Sequence, residues 1–435
     1  MSKAIAQQAH LASTVLKTLS DEQRSLALYQ IKQGLEAAKE DILAANRKDM
    51  EVAETNKLSS SLIKRLDLSK NGKFDSMCEG VLDVSNLEDP LNRVTLATEL
   101  DDGLTLTRLT CPVGVLLIIF ESRPEVIANI TALAIKSGNA AILKGGKESL
   151  HTFQAMAKVI NKVLQDTAVP KNAIQLISTR EEVGDLLKQD KYIDLVIPRG
   201  SNELVRNIKE NTKIPVLGHA DGICSIFVDK AADLAKACRI IVDAKTNYPA
   251  GCNAVETVLL HSQLVQDGSH EKVLQALREA GVTCHLSAEL FKDQPQSVLA
   301  EDSDFSREFL SLDVAVKSVA SVEEAILHIN EHSSKHTDCI VTEDKEAAEK
   351  FLAGIDSAGV YWNCSTRFAD GFRYGFGTEV GISTNKIHAR GPVGLEGLVC
   401  YYYQLRGNGQ VAGDYRGAGG TRVFKHKKLN ILIYI

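Results

Sequence analysis

Val113-Gly114-Val115-Leu116-Leu117-Ile118-Ile119-Phe120 is the stretch from which the fold is read. It is eight residues without a polar side chain. That suits a strand buried on both faces and falls far short of the roughly 18 residues a membrane-spanning helix needs. Val126 to Lys136 then reads as a helix and Ala140 to Leu143 as a short strand. Leu150, Phe153, Ala157, Ile160 and Leu164 recur on one helical face. Ile174 to Ile177, Leu195 to Ile197 and Ile223 to Val228 are further strands, with helical segments between them. Strands joined through helices of this length pair in parallel, so the spacing predicts an α/β protein with a doubly wound sheet. A nucleotide is then expected at the carboxyl ends of the strands.

Working outward, the first 90 residues read as helices, with Ser20 and Gln23 suited to a capping box and Leu28, Ile31, Leu35, Ala38 and Ile42 spaced by three and four. Arg93 to Leu109 alternates like a hairpin around Asp101-Asp102-Gly103. A second α/β set begins at the strand Val255 to Leu260. It continues with the helix Glu271 to Ala280, strand Val314 to Val316, helix Val322 to Ile329, strand Cys339 to Thr342 and helix Ala347 to Ile355. The boundary between the sets is placed near Asp243. The last 40 or so residues, ending in Leu429 to Ile435, have little core of their own and are expected to pair with another segment or subunit.

Composition excludes several classes. With 50 Lys+Arg against 56 Asp+Glu and no basic block, the 435-residue chain is not built for nucleic acid. No apolar N-terminal core suits a signal peptide, and no segment suits a membrane span. Nine irregularly spaced cysteines without a CxxC pair predict neither a disulfide framework nor a zinc site, so a reduced compartment, the cytosol, is expected.

Two short motifs carry chemistry. Lys144-Gly145-Gly146-Lys147 follows a strand and precedes a helix, where glycines let backbone approach a ligand and two lysines suit phosphate. A solvated turn explains the same letters. Tyr248-Pro249-Ala250-Gly251-Cys252-Asn253 puts a thiol on a turn before a strand, where a nucleophile is accessible, although most cysteines are small core residues. His219 and His388 are possible acid/base groups. Arg367 and Arg390 stand in loops rich in turn-formers, suited to binding carboxylate or phosphate. Gly375-Phe376-Gly377 lacks the strand-to-helix context of a dinucleotide fingerprint.

SGNAAILKGGKES (Ser137 to Ser149), STRFADGFRYGFGTEVGIST (Ser365 to Thr384) and HARGPVGLEGL (His388 to Leu398) together resemble the gamma-glutamyl phosphate reductases. The likeness runs to about Tyr415, and the chain is more distantly similar to the aldehyde dehydrogenase superfamily. The resemblance implies a nucleotide-binding domain over residues 1–92 and 110–243 and a catalytic domain over 244–395. It implies a small β bridging element over 93–109 and 396–435. It implies NADPH-dependent reduction of L-glutamyl 5-phosphate, supplied by a separate glutamate 5-kinase, with contact between the two left open. Carried over residue by residue, Cys252 matches the catalytic cysteine, Lys144 the lysine on the adenosine ribose, and Glu308 the glutamate on the nicotinamide ribose. Gly200 and Ser201 fall at the pyrophosphate-side turn. Lys147 stands where NAD-preferring relatives carry a glutamate, which implies NADP(H).

Two departures matter as much. The superfamily's general-base glutamate, which hydrolyses the thioester, falls near Val216, and its oxyanion asparagine falls at Ser122. A dianionic substrate requires cations, and Arg123, Arg199, Arg367 and Arg390 are the expected ones. A hydrolytic aldehyde dehydrogenase, a reductase of another acyl phosphate and a catalytically silent scaffold remain the alternatives. The hairpin and tail predict at least a homodimer.

Overall fold

The computed structural model describes residues 2–58, 60–121, 123–292, 294, 296–415 and 419–431. The run that opened the reading forms the strand Val115–Phe120, buried along its whole length. It sits inside a four-stranded parallel sheet ordered Ile174–Ile177, Ala140–Lys144, Val115–Phe120, Leu195–Arg199. One face is covered by helices Asp21–Ala37, Lys73–Ser85, Val126–Lys136 and Leu150–Leu164, while Ser2–Leu16 sets Ala6 and Ala9 against the other. On Val126–Lys136, Ile127, Ile130 and Leu133 are almost wholly shielded from water.

Helix Asp21–Ala37 starts at the expected capping box, with both Ser20 and Gln23 side chains engaged. Ala38 interrupts the apolar run, so Ile42 belongs to a second helix, Lys39–Thr55. Two cations are buried under this layer. Lys136 Nζ lies 2.7 Å from Asp21 and donates to Ser25 and the Ser85 carbonyl, while Arg24 pairs with Asp89 at 2.7 Å. Their burial is tolerable because each is both paired and hydrogen-bonded.

The second lobe is a seven-stranded parallel sheet. Its order is Val298–Leu299, Thr283–Leu286, Asp313–Val319, Val255–His261, Cys224–Val228, Thr337–Val341, Gly359–Trp362. Here the reading needs correction. Cys224–Val228 belongs to this sheet, not the first, and helix Leu234–Thr246 packs with it through Ala237, Ile241 and Ala244. The change of sheet therefore precedes Cys224 rather than falling near Asp243. An apolar strand carries no mark of which sheet it will join.

Strands Val94–Asp101 and Leu104–Pro112 form the expected hairpin. Val399–Arg406 pairs with one side of it and Lys427–Lys428 with the other, giving a four-stranded antiparallel sheet within one chain. Tyr401, Tyr403 and Leu405 stay exposed on the outer strand. Residues 432–435 of the expected terminal segment lie outside the described residues. No helix among the described residues is long and apolar enough to cross a membrane.

Candidate active site

Cys252 stands at the end of a tight turn, where Gly251 N–H donates to Tyr248 O at 3.0 Å and Ala254 N–H to Gly251 O at 2.9 Å. Strand Val255–His261 begins just beyond. The thiol lines a cavity of about 610 Å³, walled on the other side by the carboxyl ends of strands Val115–Phe120 and Leu195–Arg199. This is where a parallel α/β sheet presents its loops. Gly222 backs the nucleophile's own backbone so closely that a Cβ there would sit 2.3 Å from the Cys252 carbonyl oxygen.

Asn253 ties this turn to the second specific motif. Its Nδ2 donates to the Ala369 carbonyl at 2.9 Å, its Oδ1 accepts from Arg367, and its carbonyl accepts from Thr366 Oγ1 at 2.7 Å. Arg367 also stacks over Tyr248, 5.7 Å from the ring centroid. Arg199 and Arg123 line the same cavity, Arg199 donating to the Glu379 carbonyl at 3.3 Å. Three of the four expected arginines are thus gathered around Cys252.

The fourth is elsewhere. Arg390 donates to the Thr384 carbonyl at 3.2 Å and to the Asp356 carbonyl at 3.0 Å, and its guanidinium reaches Asp356 Oδ1 at 3.4 Å. It borders a second cavity of about 600 Å³, away from the thiol. Asp356 also takes Lys335 and Lys386, which hold its carboxyl at about 2. In this structure Arg390 pins a loop. It does not line the cavity that holds Cys252, unlike the other three.

Burial pushes the Cys252 thiol up to about 12, reinforced by the carboxylates of Glu308 and Glu379 and opposed by Arg199 and Arg367. The free site therefore favours the thiol, and Arg199 and Arg367 are the groups that act toward the thiolate. Glu308 is raised by burial and held by Asn202 Nδ2 at 3.1 Å. Glu379, which the site reading did not include, is raised by burial too and accepts Gly371 N–H at 2.8 Å.

Gly200 and Ser201 lie on the cavity wall, where Ser201 Oγ caps helix Asn202–Glu210. The Ser201 N–H donates to Glu121 Oε2 at 3.1 Å, so a protein carboxylate already faces that helix start. Lys144 ends strand Ala140–Lys144, mostly buried, with Nζ on the Gly145 carbonyl at 2.7 Å. It is in register with Ile119, one strand over from the cavity wall. Gly145 is glycine because a Cβ would collide with the Phe153 ring at 2.0 Å, a packing reason rather than a ligand's approach. Lys147 is exposed on the next turn. Val216 packs with the apolar cluster under the sheet and bridges to Val196, offering no acid or base. Ser122 lies outside the described residues.

His219 is expected from the sequence only as a possible acid or base, and nothing in the sequence marks His336. The fold brings both to Cys252, with ligand-type atoms of the three within 4.8 Å of one another. Separations of 33 and 84 residues hide such a cluster from any spacing rule.

Comparison with known proteins agrees with this geometry. The aldehyde dehydrogenase family model matches residues 2–289. The gamma-glutamyl phosphate reductase of Saccharomyces cerevisiae is 60% identical over 99% of this chain and 98% of its own length. The crystal structure of the gamma-glutamyl phosphate reductase of Thermotoga maritima superposes with a TM-score of 0.91 at 37% identity, covering 94% of this chain and 99% of that one. A glyceraldehyde-3-phosphate dehydrogenase of Methanocaldococcus jannaschii complexed with NADP shares the fold alone. Its TM-score is 0.65 at 16% identity, over 94% of each chain. The chain belongs to the aldehyde dehydrogenase family and, within it, to the gamma-glutamyl phosphate reductases.

Proposed function

We propose that the chain reduces L-glutamyl 5-phosphate to L-glutamate 5-semialdehyde with NADPH and releases phosphate, the second step of proline biosynthesis. The observation that carries it is a cysteine on a tight turn that shares one cavity with Arg123, Arg199 and Arg367. An acyl phosphate presents a carbonyl between a carboxylate and a dianionic leaving group, and Arg123, Arg199 and Arg367 supply matching charge. Cys252 attacks the acyl carbon as thiolate, the acyl–oxygen bond breaks, and phosphate leaves against the guanidinium groups. The thioester on Sγ is held by the turn that Asn253 ties to Arg367, with the Cys252 N–H as the oxyanion donor.

A nicotinamide cofactor fits the remaining wall. Glu308 is a half-buried carboxylate held by an amide and a backbone N–H, placed to accept from a ribose hydroxyl. Ser201, Gly200 and Lys144 border the ends of the same strands, and Lys147 adds an exposed cation suited to a 2′-phosphate. When bound, the cofactor supplies a hydride to the thioacyl carbon. With Val216 where hydrolytic relatives carry a base, water is not activated at that position and the thioester survives until reduced.

The test is a coupled reverse assay. Glutamate 5-semialdehyde oxidation should reduce NADP only when phosphate or arsenate is present to discharge the thioester, and Cys252→Ser should abolish it. Rapid oxidation with neither anion would mean that another group activates water, with Glu121 and Glu379, both on the cavity wall, the first to test. Nine free thiols suit the cytosol, and the exposed Val399–Arg406 edge suits assembly into at least a dimer.

A further inference from the structure

His219 and His336, which the reduction does not use, stand with its nucleophile Cys252 as a set of metal-type donors. Their ligand atoms lie within 4.8 Å of one another, and the two imidazoles pack edge to face with centroids 5.0 Å apart. His219 Nδ1 lies 3.1 Å from the Ile382 carbonyl oxygen. A carbonyl only accepts, so Nδ1 carries the hydrogen and Nε2 presents a lone pair. A ligating imidazole is held in this manner, with one ring nitrogen fixed on a carbonyl and the other turned to the ion.

His336 is 1% exposed, and its Nδ1 lies 2.9 Å from Thr337 Oγ1. Its Nε2 is buried with no hydrogen-bond partner among the described residues. Buried ring nitrogens are nearly always paired, so an unpaired one beside a thiol and a second imidazole calls for a ligand.

We propose that Cys252, His219 and His336 bind a divalent cation of the zinc class, and that the bound ion inhibits the enzyme by capping its nucleophile. Two imidazoles, one thiolate and a position left for water make a donor set that zinc accepts. Bonds of about 2.3 Å to sulfur and about 2.0–2.1 Å to nitrogen place tetrahedral donors roughly 3.4–3.6 Å apart. The side chains would close inward by about 1 Å from their present 4.8 Å limit. Binding breaks the S–H bond and forms S–Zn, the proton passes to solvent, and no atom changes oxidation state. A thiolate whose lone pair is held by the ion cannot attack an acyl phosphate. The inhibition rests on Cys252 being the nucleophile; the binding does not.

Cobalt(II), added to the full chain, is the probe. One equivalent should give a thiolate-to-cobalt charge-transfer band that zinc displaces. The band should vanish in Cys252→Ser, and cobalt affinity should fall at least tenfold in His219→Gln and in His336→Gln. Circular dichroism checks the fold of each variant, and His219→Gln stands in if buried His336 does not tolerate exchange. Zinc should slow alkylation of Cys252 by iodoacetamide and suppress NADPH oxidation with the same midpoint. A missing band, or one that survives Cys252→Ser, overturns the site. A band at full strength with turnover unchanged at saturating zinc overturns the inhibition. Turnover that survives Cys252→Ser would instead overturn the nucleophile, leaving the cobalt band to judge the site independently.

Discussion

Gly222→Ala should cripple turnover without touching a reacting group. The added methyl would sit 2.3 Å from the Cys252 carbonyl oxygen, 2.4 Å from its Cα and 2.6 Å from its carbonyl carbon, where ordinary contact begins at 3.4 Å. All three are backbone atoms, so no side chain can swing aside, and the turn must shift by about 1 Å. Overpacking of this kind costs about 1–3 kcal/mol of stability. A nucleophile displaced by about 1 Å loses on the order of 100-fold in rate. That corresponds to about 2.7 kcal/mol in the activation barrier. Gly222 is not in the left-handed region, so alanine meets no backbone objection of its own and the effect reports contact alone. The measurements are kcat under saturating substrates and thermal unfolding, side by side. A variant that unfolds earlier yet keeps kcat within threefold of wild type would refute the view that the packing of Gly222 sets the thiol's position.

Three further outcomes are expected. With its thiol raised to about 12 by burial, Cys252 in the free enzyme is protonated near neutrality. Its alkylation rate, followed by peptide mass, should therefore climb about tenfold per pH unit from 7 to 9, and a plateau at pH 7 would mean a preformed thiolate. Arg367→Ala should lower kcat/KM for the acyl phosphate by at least tenfold, whereas Arg390→Ala should change it less than threefold and lower the unfolding temperature, because its partners are Asp356 and the Thr384 carbonyl. A reversal of that pair would restore Arg390 to the substrate. Lys147→Glu should erode a preference for NADPH over NADH by about 5–150-fold, equivalent to about 1–3 kcal/mol for one charge-assisted contact. A ratio of kcat/KM values within twofold of wild type would make Lys147 an ordinary surface lysine.

The sequence by itself determined the local elements and the nucleophile's setting. Val115–Phe120, Val126–Lys136 and Ile174–Ile177 are strongly patterned, and a capping box at Ser20 or a glycine turn before Cys252 is written in neighbouring residues. The resemblance in three contiguous strings named the family, because sequence identity survives where chemistry fixes a whole loop. Pairing was beyond it. Cys224–Val228 is as apolar as any strand of the first sheet, and only the packing of Leu234–Thr246 decides which sheet it joins. Tertiary structure also separated Arg390 from Arg367, which share loop composition but differ in whether Asp356 or the cavity of Cys252 lies within reach. It was the fold alone that brought His219 and His336 to Cys252, since distances between remote residues are set by the crossing of strands, and no spacing along the chain encodes them.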